Sequence, residues 1–198
     1  MKNISRRNFI STSSTMVAGA FMVPFPDLFP NRSHGSWPSY AKKQKVHLIG
    51  HGHIDLVWLW PWHEGVSLVH STFRSVLDRM NENPDFTFVS SSAQFYQWVA
   101  ENDPEMLDEI RDRVVEGRWN IVGGWWVEPD VNIPSGEALV RQGLYGQLTF
   151  ERLLGRRADV GFNPDAFGHT GTLPQILKLQ GIDSYSFLRP APHEKTVP

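Results

Sequence analysis

The stretch GHGHIDLVWLW, Gly50 to Trp60, sets His51, His53 and Asp55 at every second position and follows them with tryptophans. In an extended chain, residues two apart point to the same side. The three side chains can therefore share one face at the mouth of a strand. Imidazole and carboxylate are suitable ligands for zinc or a similar divalent ion, and one segment can supply two of the three or four that a catalytic site needs. The competing reading is a set of solvated loop groups or hydrogen-bonded core histidines.

Immediately upstream, KVHLIG (Lys45–Gly50) reads as a short apolar strand. Downstream, strands and helices alternate. GVSLVHSTFRSVLDRMNENP places Val66, Val69, Phe73, Val76, Leu77 and Met80 on one helical face and ends at Asn83-Pro84. DFTFVSS is a second strand and AQFYQWVAEN a short helix. Asp103 caps a further helix with Pro104 at its first position, Leu107, Ile110 and Val114 facing inward, and Gly117 closing it. RWNIVGGWWV is a third strand. Ser135 or Gly136 opens a helix running to about Leu154, with Gly155 after its end. ADVGFNP, TLPQILKLQG and IDSYSFL complete the series as strand, helix and strand. Five strands separated by helices predict an α/β fold with parallel pairing through right-handed crossovers.

In such folds the chemistry collects beyond the carboxyl ends of the strands. HGHID, WWVEPD, NPDAFGH and LRP all fall there. Asp165 follows a strand and precedes a Gly-rich turn, where it can ligate a metal, attack a bound substrate or simply shape the turn.

Composition narrows the function classes. The chain has 198 residues, 40% hydrophobic and 20% charged, which is ordinary globular material. Its net charge is -2, and no dense Lys/Arg run follows the N-terminus, which argues against a nucleic-acid partner. There is no cysteine, so a metal must be held by His, Asp or Glu. Trp58, Trp60, Trp62, Trp125 and Trp126 crowd the polar motifs, where flat rings suit sugar faces. SRRNFI (Ser5–Ile10) resembles a twin-arginine signal, and the apolar run after it is too short for a stable membrane span. Residues 1–30 are read as this export segment, 31–44 as a linker and 45–198 as the folded part, giving a periplasmic or extracellular protein.

GHGHIDLVWLWPW, VGGWWVEPDVNIPSGEALVRQ and NPDAFGHTGTLPQIL, in this order, resemble the N-terminal domain of family 38 glycoside hydrolases, the retaining α-mannosidases. The likeness covers roughly Lys45 to Pro190, and the middle motif is nearer the cytosolic and bacterial branch. It implies a parallel-sheet glycoside hydrolase/deacetylase-type domain, a seven-stranded β/α barrel-like fold with its first five or so units in this chain. It implies one Zn2+ per site, with Co2+ or another divalent ion not distinguished, held by His53, Asp55 and Asp165. Asp165 would also be the nucleophile, Trp58 and Arg189 would bind substrate, and His51 would support the ligands from behind. The general acid/base and the last ligand lie further along the family's pattern, so the chain is expected to be an inactive N-terminal piece of a longer enzyme. His193 and Glu194 carry no mark of a replacement. The implied partner is a mannose-containing glycan, and a homo-oligomer is left open. The alternatives are a metal-dependent polysaccharide deacetylase and a mannose-binding remnant without turnover.

Overall fold

The computed structural model describes residues 45–190, and from His47 onward these pack as one unit. The export segment and linker expected over residues 1–44 lie outside the described residues, as do His193 and Glu194. In chain order the elements are β1 (Gly50–His51), α1 (Trp62–Glu82), β2 (Phe88–Ser90), α2 (Ala93–Asn102), α3 (Pro104–Val115), β3 (Trp119–Ile121), α4 (Gly136–Leu154), β4 (Val160–Asn163), α5 (Leu173–Leu179) and β5 (Ser184–Phe187).

The strands form two small parallel sheets, β1-β2-β3 and β4-β5. One backbone bond joins them in series: Gly123 N–H donates to Val160 O at 2.7 Å. The five-strand parallel expectation therefore holds, but as two ladders and a single link. β1 is much shorter than KVHLIG suggested. Its apolar run does not pack as a strand: Val46 is 80% and Leu48 88% exposed. Period-two hydrophobicity signals burial only where a neighbouring layer exists to cover it.

The helices follow their sequence signals closely. α1 begins at Trp62, slightly before the expected Gly65, and buries Val69, Phe73, Val76, Leu77 and Met80, with Val66 half-buried. Asp103 accepts from Met106 N–H and caps α3, whose Leu107, Ile110 and Val114 are buried. Ser135 caps α4 by accepting from Ala138 N–H, and Gly155 ends it in the left-handed conformation at φ 69°. The core centres on Phe73, Tyr96, Trp119 and Phe150. Trp119 Nε1 donates to Tyr96 Oη at 2.9 Å, and burial pushes the Tyr96 phenol up to about 12. Among the described residues, no helix is long and apolar enough to cross a membrane.

Candidate active site

The loop after β3 is built first, because it aims the site. Gly123 and Gly124, at φ 88° and 76°, turn the chain out of the sheet. The opening N–H groups of α2 then find loop carbonyls. Ala93 donates to Trp125 O and Gln94 to Trp126 O, both at 3.0 Å. These donors would otherwise be orphans of the helix start. From the other side, α4 accepts from Trp126 N–H through Gln142 O and from Val127 N–H through Gln142 Oε1. Trp125 is fully buried and donates from Nε1 to Asn163 Oδ1 at 2.9 Å. Ser92 occupies the positive-φ region at 67°, unusual for a residue with a side chain. Its hydroxyl accepts from the N–H of Glu128 at 3.1 Å.

Glu128 is therefore held by its own backbone, and its side chain meets the other motifs. Glu128 Oε2 lies 3.1 Å from His53 Nδ1, and Glu128 Oε1 accepts from Asp165 N–H at 2.9 Å. His53 Nε2 faces the opposite way, 3.5 Å from Asp55 Oδ1 and 3.9 Å from Asp165 Oδ2. Arg189, past β5, donates from Nη1 to Asp165 Oδ1 at 2.8 Å and stands over the Phe167 ring at 4.7 Å. His53, Asp55, Glu128 and Asp165 line a cleft of about 370 Å³ beyond the strand ends. A larger apolar cleft of about 650 Å³, between α5 and β5, contains neither His53 nor Asp165. The smaller cleft is the candidate site, because there the motif residues His53, Asp55, Glu128 and Asp165 share one space.

His51 and His53 differ in environment. The Glu128 hydrogen bond raises the His53 pKa above its ordinary value; burial opposes this, and the charges of Glu128, Asp55 and Asp165 add to the rise. Burial pushes the His51 pKa down, His53 adds to the fall and Glu128 opposes it. His51 is the last residue of β1 and sets its ring edge-to-face on Phe162 of β4, with centroids 4.8 Å apart. His53 and Asp55 sit beyond the strand, in a loop, so their approach comes from loop geometry rather than strand alternation.

Two ligands at 2.0–2.2 Å from one tetrahedral ion stand roughly 3.4 Å apart. The His53–Asp55 pair matches that spacing and the His53–Asp165 pair is wider. Among the described residues, no three metal-competent side chains stand close enough to hold an ion as placed. The Arg189 ion pair takes one Asp165 oxygen and leaves Oδ2 on the His53 side. The donor chemistry, one imidazole and two carboxylates on a shared cleft, is of the kind a divalent ion takes. Trp58 is 62% exposed and stacks edge-to-face with Trp60 beside lining residue Val57. Glu128 carried no role in the sequence reading. The signal was a carboxylate inside a motif already singled out by position.

Residues 43–196 match the N-terminal domain of glycosyl hydrolases family 38. The chain belongs to that family. It is 42% identical over 141 residues to Alpha-mannosidase G of Dictyostelium discoideum, covering 71% of this chain and 13% of that protein. It is 42% identical over 137 residues to Alpha-mannosidase 2C1 of Homo sapiens, covering 69% and 13%. The chain thus spans about an eighth of the length of these relatives. The crystal structure of an alpha-mannosidase from Enterococcus faecalis superposes with a TM-score of 0.63 at 26% identity, covering 70% of this chain and 16% of that one.

Proposed function

We propose that this chain carries the nucleophile-bearing part of a retaining α-mannosidase acting on mannose-containing glycans by metal-assisted double displacement. The observation that supports it is the meeting of His53 and Asp165 in one cleft, in a chain of this family. Asp165 attacks the anomeric carbon as the glycosidic bond breaks, the leaving oxygen taking a proton from the general acid, and water then hydrolyses the glycosyl-enzyme ester to release mannose and free Asp165. Arg189 holds Asp165 Oδ1 and so sets the carboxylate's rotamer. Trp58 offers an exposed ring to the sugar face. His53, Asp55 and Asp165 would hold the ion, zinc by resemblance. When bound, it supplies Lewis-acid contact to adjacent sugar hydroxyls and favours the distorted ring of the transition state. The leaving-group acid/base is assigned outside this chain, and the five strands to a larger barrel-like sheet, a placement consistent with the Gly123–Val160 link.

The test is an aryl α-mannoside assay of the full-length protein in metal-replete buffer, parent against Asp165→Asn. Mannose release by the parent and its loss in the variant support the reading. Release of acetate from an acetylated glycan, without mannose, would replace it with a deacetylase. Binding of mannose without release would leave a non-catalytic remnant. The export proposal rests on Ser5–Ile10. Replacing Arg6 and Arg7 by lysine should retain the protein in the cytoplasm, and unchanged export would remove that part.

A further inference from the structure

We propose that Glu128 is the positioning residue of this site, locking His53 in the tautomer that turns the Nε2 lone pair toward Asp55 and Asp165. The inference rests on the metal reading above and adds a residue to it.

An ionised carboxylate only accepts, so Glu128 Oε2, 3.1 Å from His53 Nδ1, favours the proton on that nitrogen. In the neutral ring, Nε2 is then bare. Nε2 is the atom that faces Asp55 and Asp165, at 3.5 and 3.9 Å. The opposite tautomer would aim an N–H into the space an ion needs. The second oxygen of Glu128 accepts from Asp165 N–H at 2.9 Å, so one side chain registers both the imidazole and the segment carrying the nucleophile. Both oxygens are thereby engaged, which separates Glu128 from the ligands proper. Its side chain is 12% exposed, against 41% for Asp55 and 36% for Asp165, as suits a group that acts through others. Its backbone is pinned by Ser92, a residue held at a costly positive φ. Partners of ligating histidines orient the ring in this way.

Glu128→Gln is the informative change. The amide keeps the size but replaces one of the two acceptor oxygens with a donating NH2, so it cannot accept at both positions. The probe is Co2+, titrated into the full-length protein, which supplies the remaining ligand, and into its variants, and read by visible absorption. The parent should bind with a d–d band that His53→Ala abolishes. Glu128→Gln should weaken affinity by roughly 10- to 100-fold and alter the band. Thermal melts of the metal-free proteins verify folding. A second measurement needs no variant: ring ¹⁵N shifts of His53 in the metal-free parent, at a pH where the ring is neutral. They should report Nδ1–H. An Nε2–H tautomer overturns the proposal, as does a Glu128→Gln protein with parental affinity and band. A parent that binds no Co2+ overturns the metal reading and this inference together. Parental binding with an unaffected Glu128→Gln overturns this inference alone.

Discussion

Three glycines of α4 offer one substitution in three surroundings, and Gly146→Ala is the demanding case. Helix propensity alone favours alanine by about 1 kcal/mol. Packing opposes it. A Cβ on Gly146 would lie 2.4 Å from Gly124 O, 2.4 Å from Trp125 C and 2.6 Å from Trp126 N. All three are backbone atoms of the loop carrying Glu128, so no rotamer relieves the clash, and helix or loop must retreat by roughly 1 Å to reach ordinary contact. Overpacking of this kind costs about 1–3 kcal/mol. The retreat also stretches the Trp126–Gln142 bond and the two bonds from α2, each worth about 1 kcal/mol. Propensity recovers about 1 kcal/mol, leaving a net loss of about 3 kcal/mol. For a domain of this size that is a fall of about 6–12 °C in Tm. The nearest atoms to a Cβ on Gly143 are the end of the Gln180 side chain, which can swing aside at the expense of its bond to Leu139 O. Gly143→Ala should be within about 0.5 kcal/mol of neutral, the lost bond offsetting the propensity gain. Gly136→Ala has open space and should stabilise by about 0.5 kcal/mol. Thermal and denaturant melts of the three variants give the order. A Gly146→Ala protein as stable as the parent would refute the claim that close approach of α4 sets the loop.

In the full-length protein, on the proposed function, Asp165→Asn should abolish turnover of an aryl mannoside far more than it weakens binding, whereas Trp58→Ala should act mainly on KM; substantial residual kcat in the first would move the nucleophile elsewhere. Asp103→Ala should cost about 1 kcal/mol at neutral pH through the lost cap of α3. The Met106 N–H first, and then His70, hold the Asp103 carboxyl below its ordinary value. Its contribution is therefore full above about pH 4 and lost as pH falls through the lower folded value, so the stability gap to Asp103→Ala should shrink in acid. A gap that widens in acid, in guanidinium melts across pH, contradicts this. Trp125→Phe strips the donor from buried Asn163 and should cost about 2–4 kcal/mol from the lost bond and the smaller ring. A double-mutant cycle with Asn163→Ala showing coupling below about 0.5 kcal/mol would reject the bond as the cause.

The amino-acid sequence by itself determined the order and type of the elements, most bounds of the helices, and the segments that meet at the candidate site. Those properties are local. An N-cap such as Asp103 or Ser135, a terminating Gly155 and a stripe of apolar residues each act within a few positions, so they can be read without neighbours. The length of β1 was not legible, because whether Val46 and Leu48 are covered depends on elements distant in sequence. The division of labour at the site was hidden from spacing alone, although the family resemblance had already set His53 among the ligands and His51 behind them. His51 and His53 look equivalent in GHGHID, yet one packs on Phe162 and the other bridges Glu128 to Asp55 and Asp165. Glu128 lies 75 positions after His53 and 37 before Asp165 in the numbering, and no periodicity connects them. Only the tertiary structure decided that it meets both, because α2 and α4 capture the loop after β3 and deliver its carboxylate to the strand ends.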